Sequence, residues 1–137
     1  MTWSIHHVNL PAHDVRETVS FFRDILGVTE GRFYRPPGNA GNFRSDPAAL
    51  AVFGEQNRGL HIVKPMPSFA RDNNLLHNPT IGGHVAITVT DLDVVRRKLD
   101  AARLVYSDAG EYAMAGYRQI YLHDPSMNLI EINQSVG

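Results

Sequence analysis

Residues 5–15 read IHHVNLPAHDV, and residues 83–92 read GHVAITVTDL. Both contain His-Val-x-(Leu/Ile), at His7 and at His84, and in both an aspartate follows that histidine by seven residues, at Asp14 and Asp91. An aspartate there is a good helix N-cap, because its carboxylate can accept a backbone N–H that the first turn leaves unpaired. Glu17, three residues after Asp14, adds the capping-box pattern. Behind the caps, Val15, Val19, Phe22 and Leu26 recur at helical spacing, and so do Leu92, Val95, Leu99 and Ala102. Gly27 stands where the first helix should stop. Ahead of the caps, residues 5–10 and 84–89 read as strands. Each stretch therefore predicts a strand followed by a helix.

The pattern extends outward from both copies. In the first half VTEGRFYRP (28–36) predicts a strand that Pro36-Pro37 ends, and AALAVFGEQ (48–56) and GLHIVK (59–64) predict two more around a turn at Asn57-Arg58-Gly59. In the second half LVYS (104–107), YRQIYLH (117–123) and NLIEIN (128–133) take the same places, so that LHIV (60–63) aligns with IEIN (130–133). The chain reads as an internal repeat: module 1 over 4–64 and module 2 over 83–134, each strand-helix-strand-strand-strand. Residues 65–82, PMPSFARDNNLLHNPTIG, are rich in proline and asparagine and read as a linker or lid with one short helical turn.

Composition narrows the function. A chain of 137 residues, 43% hydrophobic, is one globular domain without an apolar run that could span a bilayer. MTWSIHH lacks the basic and then apolar character of a secretory signal. With no cysteine there are no disulfides, thiolate zinc sites or thiol nucleophiles, which fits a cytoplasmic protein. Net charge is −1, and the longest basic run, Arg96-Arg97-Lys98, falls on a predicted helix and reads as a solvated face. No basic stripe points to nucleic acid, and nothing points to a membrane. A small molecule is the expected partner.

Strand alternation then sorts the histidines. Val8 and Leu10 are the pair that can pack under the first helix, so Ile5, His7 and Asn9 should share the opposite face, with His6 on the helix side. By the same parity Val85, Ile87 and Val89 face the second helix and His84 does not; Leu60 and Ile62 face a helix and His61 does not; Ile130 and Ile132 face a helix and Glu131 does not. His7, His61, His84 and Glu131 thus fall on one common face, the inside of a cup if the sheet curls. Imidazole and carboxylate are metal ligands by type, although a strand histidine can equally be a hydrogen-bonded residue of the rim. Two histidines and one carboxylate leave coordination positions open, which suits Fe(II) oxygenases and also Lewis-acid chemistry on Mn, Ni, Zn or Co. His6, His13, His77 and His123 stay outside the predicted site, His77 being the one that a lid would bring to it.

The stretches HHVNLPAHDVRETVSFFRDILG, GGHVAITVTDL and GYRQIYLHDPSMNLIEIN resemble the vicinal oxygen chelate superfamily, which includes glyoxalase I, fosfomycin-resistance enzymes, bleomycin-resistance proteins and extradiol dioxygenases. The resemblance spans the chain and implies an α+β fold of two paired βαβββ modules, a curved mixed sheet forming a cup around one divalent metal ion. It implies His7, His84 and Glu131 as ligands, with His61 where glyoxalase I has a fourth. Gln119 and Tyr121 match positions that face the metal in the fosfomycin enzymes, and Tyr121 would donate to a developing oxyanion. Glu131 or His61 would be the base, and Arg44 and Arg71 are candidate contacts for a substrate carboxylate. The implied activity is a glyoxalase-like lyase or isomerase acting through two adjacent substrate oxygens. The alternatives are an Fe(II) ring-cleaving dioxygenase and a metal-free binding protein. The absence of a basic residue after Arg118 argues against fosfomycin as substrate. Met127 stands where the family's turn usually has glycine, so that turn is expected to form without a positive φ. Short members commonly dimerise, which implies a homodimer with sites shared between subunits.

Overall fold

A computed structural model of the chain describes residues 1–36 and 46–137. The elements in chain order are β1 (Trp3–Pro11), α1 (Val15–Asp24), β2 (Leu50–Phe53), β3 (Gly59–Val63), α2 (Phe69–Asp72), β4 (His84–Val89), α3 (Leu92–Ala101), β5 (Ser107–Gly110), β6 (Tyr117–His123) and β7 (Leu129–Ser135). Both caps form as the sequence predicts: Asp14 accepts from the Glu17 N–H, and Asp91 from the Val94 N–H. The linker carries the one short helical turn expected of it, α2.

The strands make one mixed, open, curved sheet in the order β2-β3-β1-β4-β7-β6-β5, an α+β fold. Within each half the first strand pairs parallel with the last, β1 with β3 and β4 with β7. The two halves join where β1 runs antiparallel to β4, which brings both His-Val stretches to the centre of the sheet. The helices cover one side. Val15, Val19 and Phe22 of α1 pack on Ala51, Phe53, Leu60 and Ile62, while Leu92, Val95 and Leu99 of α3 pack on Val89, Ile120, Leu122 and Ile132. Burying a side chain of this size contributes about 1.5–3 kcal/mol, so these two clusters fix which face of each strand is turned away from the helices. On that other side Phe69 and Leu75 from the linker join Tyr112, Ala113 and Tyr121 and cover part of the cup.

Four local expectations are corrected. Residues 28–36 form no strand; Gly31 donates to the Val52 carbonyl, and the buried Asn57 amide holds both the N–H and the carbonyl of Tyr34, so one side chain substitutes for a ladder. The strand expected at 104–107 begins at Ser107, because the end of α3 consumes the residues before it: Leu104 donates to the Leu99 carbonyl and Arg103 takes φ +55°. Met127 does adopt a positive φ, +65°; Asp124 pins the turn by accepting from the N–H groups of Ser126 and Asn128 and from the Asn128 side chain.

The fourth correction matters most. Ile5 pairs with Ile87 but His7 pairs with Ala86, so His6 is the extra residue of a β-bulge. Strict alternation fails there. Ile5 is on the helix side and 58% exposed, and His6, expected on that side, is only 2% exposed.

Candidate metal centre

Cross-strand partners in a sheet share a face. Asn9 lies opposite both His84 and His61, Ala86 lies opposite both His7 and Glu131, and Glu131 and Asn133 lie opposite Tyr121 and Gln119. The register therefore gathers His7, His61, His84, Glu131, Gln119 and Tyr121 on the concave side, where all six line one cavity. The cavity holds about 40 Å³ of free space, and Phe33, Leu50, Val63, Phe69 and Met114 supply its apolar wall. Gly83 lets β4 approach: it has φ +79°, and a Cβ there would lie 2.7 Å from the Asn9 carbonyl oxygen.

Three atoms converge within the single chain. His7 Nε2 lies 3.2 Å from His84 Nε2 and 3.3 Å from Glu131 Oε2, and His84 Nε2 lies 3.2 Å from the same oxygen. Among the described residues this is the one group of three or more such side chains spaced to hold a metal ion. All three are buried. The surroundings set the protonation of the set. Pro79 offers only a carbonyl to His84 Nδ1 at 2.9 Å, so Nδ1 carries a hydrogen, and in a ring that binds a metal ion Nε2 is the lone-pair atom, turned towards Glu131. A lone pair and a carboxylate oxygen 3.2 Å apart repel unless a positive charge lies between them. A metal ion satisfies this: metal–ligand bonds of about 2.0–2.1 Å to imidazole and carboxylate put neighbouring tetrahedral ligands about 3.3–3.4 Å apart. The donor set fits a divalent ion.

The outer partners are also those of a metal site. Gln119 and Asn133 both donate from their amide nitrogens to Glu131 Oε1 at 2.9 Å, and Thr88 donates to Asn133 Oδ1 at 2.7 Å. Burial would raise the Glu131 carboxyl, but the His7 and His84 imidazoles outweigh it and hold the group well below its usual range. Gln119 Oε1 is buried with no hydrogen-bond partner among the described residues, so it is an acceptor free for a bound molecule.

His61 stacks on His7, with ring centroids 3.8 Å apart and planes 10° apart. Its Nε2 donates to the Asn57 carbonyl at 2.6 Å, which leaves Nδ1 as its basic atom. Burial, then the neighbouring His7, pushes the His61 imidazole well below its usual value, so the ring is neutral. Tyr121 is 2.6 Å from Tyr112, oxygen to oxygen. Burial raises both phenols, and both are neutral hydroxyls.

Other predicted residues are elsewhere. Arg71 is on α2 with its side chain 82% exposed and paired with Asp72, and it does not line the cavity. Arg44 lies outside the described residues. His77 is buried away from the donors, with Nδ1 2.6 Å from the Ser107 hydroxyl and its ring beside His123. Sequence reasoning missed Asn133, Thr88, Pro79, Asn57 and Tyr112. Asn133 carried a signal, since it shares the parity of Glu131; the two backbone carbonyls and Tyr112 carried none.

Comparison with known proteins agrees with this architecture. A family model described as Glyoxalase/Bleomycin resistance protein/Dioxygenase superfamily matches residues 4–132. No curated protein matches the chain. Among solved structures, a methylmalonyl-CoA epimerase variant from Streptomyces coelicolor, in complex with 2-nitronate-propionyl-CoA, is similar at 18% identity and TM-score 0.63, over 97% of each chain. A hypothetical protein from Bacillus halodurans C-125 is 12% identical with TM-score 0.64, over 98% of this chain and 96% of that one. A superfamily member from Vibrio splendidus 12B01 is 16% identical with TM-score 0.58, over 98% of this chain and all of that one. At these identities the structures show a shared fold. Among the described residues no helix is long and apolar enough to cross a membrane. With its sheet order, its two-fold repeat and a family model spanning nearly all of it, the chain belongs to the Glyoxalase/Bleomycin resistance protein/Dioxygenase superfamily.

Proposed function

We propose that the protein is a divalent-metal-dependent enzyme of lyase or isomerase type, acting on a small substrate that presents two adjacent oxygens. The observation that carries this reading is the buried set of His7, His84 and Glu131, with donor atoms 3.2–3.3 Å apart. These three residues would hold the ion. When bound, it would supply Lewis-acid stabilisation of negative charge on substrate oxygen. The chain's own groups do the rest. Gln119 and Asn133 keep Glu131 oriented through Oε1, so both of its oxygens are committed and it is the weaker candidate for a base. His61, neutral and with Nδ1 uncommitted to Asn57, takes a substrate proton and returns it. Tyr121, a neutral hydroxyl on the same wall, donates to the oxyanion as it forms. The apolar wall excludes water, and the small volume favours a small substrate. Methylmalonyl-CoA epimerases share this fold, which is in keeping with a reaction of isomerase type.

The second reading is ring cleavage with Fe(II), since two histidines and one carboxylate also form the donor set of non-haem iron oxygenases. A homodimer with sites shared between subunits belongs to the proposal too; since His7, His84 and Glu131 come together within one chain, what a partner would share is the rest of the cup wall. The test is to load the purified protein separately with Zn²⁺, Ni²⁺, Mn²⁺ and Fe²⁺. Each form is then assayed for deuterium exchange on α-hydroxyketones and hemithioacetals and for oxygen uptake on catechols. Exchange without oxygen uptake, lost in His61→Ala, supports the isomerase reading. Oxygen uptake with iron alone supports the second. Stoichiometric small-ligand binding with neither activity nor metal would leave only a metal-free binding protein.

A further inference from the structure

His6 is a buried histidine that this function does not use. It is the bulged residue of β1, and the bulge is clamped: Arg58 donates to the Ile5 carbonyl at 2.9 Å and to the Ser4 hydroxyl at 3.2 Å, immediately before it. The bulge turns His6 inward beside its neighbour, with Nδ1 of His6 2.9 Å from Nδ1 of His7 and the two rings edge-on at 5.2 Å. Tyr117 also packs on the His6 ring, edge-on at 4.6 Å.

The hydrogen-bond logic of this contact is restrictive. His7 Nε2 faces the other two donor atoms, so a His7 that binds an ion must carry its hydrogen on Nδ1. The atom facing that hydrogen is His6 Nδ1, which must then be a lone pair, and the hydrogen of His6 sits on Nε2. That Nε2 is buried with no hydrogen-bond partner among the described residues. A buried N–H is left unpaired while the other nitrogen serves His7. In the second half of the repeat the same task, holding Nδ1–H of the ligand histidine, falls to the Pro79 carbonyl.

Resting on the metal-centre reading above, we propose that His6 is a positioning residue: its Nδ1 accepts the Nδ1–H of His7 and fixes the tautomer and ring orientation that present His7 Nε2 to the ion. The β1 bulge is the backbone device that makes this possible, re-aiming a side chain that regular alternation would send to the opposite face. Outer partners of a metal-bound histidine typically change affinity by about 10–100-fold when removed.

Two measurements test it. In the Zn²⁺-loaded wild type, long-range ¹H–¹⁵N correlation spectra of the imidazoles report the hydrogen on His7 Nδ1 and, through the coupling across it, the ring nitrogen that accepts it. A coupling between His7 Nδ1 and His6 Nδ1 is expected, and its absence, or a hydrogen carried on His6 Nδ1, would overturn the proposal whether or not the protein is an enzyme. The second is Co²⁺ affinity by chelator competition, with the ligand-field spectrum as readout. His6→Leu should weaken Co²⁺ by about 10–100-fold, while His6→Asp, which restores an acceptor for the same N–H, should bind within about threefold of wild type. Equal weakening in both variants, at unchanged circular dichroism, would mean that His6 only fills space; no weakening in either would mean that His7 needs no partner. A wild type that binds no Co²⁺ would sink the metal reading and this proposal's role for His6 with it, whereas a wild type that binds Co²⁺ with no weakening in either variant would sink this proposal alone.

Discussion

The two copies of the His-Val repeat place equivalent histidines by different means. In β4, alternation is regular, glycine precedes the strand, and a backbone carbonyl, Pro79, holds His84. In β1, a bulge breaks alternation, a second histidine occupies the extra position, and a side chain faces the ring nitrogen of His7. The helix caps, by contrast, are the same in both halves. The repeat thus keeps what the fold needs and varies what surrounds the donors. A carbonyl can only accept, so His84 has one tautomer available while neutral, whereas His7 depends on the state of another imidazole. That neighbour is kept neutral: burial, then His7, pushes His6 down to about 4.

Breaking the donors themselves should have the largest effect. Alanine at His7, His84 or Glu131 is expected to weaken Zn²⁺ by more than about 100-fold, exceeding any change from an outer partner, as chelator competition would show. Similar losses at His7 and His84 would confirm that the two copies contribute alike; tight binding by either variant would separate them.

Next comes the approach of β4 to β1. Gly83→Ala adds a Cβ against the Asn9 carbonyl at a positive φ, and should cost about 2–3 kcal/mol in chemical denaturation. A neutral result would mean that the two central strands separate at no cost, and that their register does not set the donor spacing.

The caps sharpen the comparison from the side of the scaffold. Asp14→Ala and Asp91→Ala should each lower stability by about 1 kcal/mol, and by similar amounts, because each removes one acceptor from one helical N–H. Unequal losses would show that the halves differ in scaffold as well as in surroundings.

The smallest effect is a pH slope from His77, which does not line the cavity. Burial, then His123, lowers its pKa from 6.5, so below that pH the unfolded chain binds the proton that the folded chain refuses. Stability should be full above pH 6.5 and decline as pH falls towards the folded value. Denaturation curves of His77→Asn, which keeps an acceptor for Ser107, should lose this part of the slope; an unchanged slope would assign it to other groups.

Much of this was legible in the sequence because the relevant signals are periodic. Parity placed His7, His84, His61 and Glu131 on one face, and capping chemistry placed both helices, since each rests on residue spacing alone. The bulge was not legible: one extra residue leaves composition unchanged but reverses parity on one side of it, so Ile5 and His6 were assigned to the wrong faces. Residues 28–36 carry a strand's pattern without forming one for a related reason, because a distant side chain, Asn57, takes the place of a strand's hydrogen bonds. Met127 shows the reverse, where hydrogen bonds from Asp124 hold a backbone conformation that the side chain itself disfavours. Backbone carbonyls such as that of Pro79 have no sequence signature, since every residue has one.

The most direct test of the central claim is a metal count. Wild type and Glu131→Gln are purified, dialysed against a low concentration of Zn²⁺ and measured by elemental analysis with folding checked by circular dichroism. One ion per chain in the wild type and a near-complete loss in Glu131→Gln is the predicted result. A folded wild type without stoichiometric metal, or a Glu131→Gln protein that retains it fully, would contradict the account.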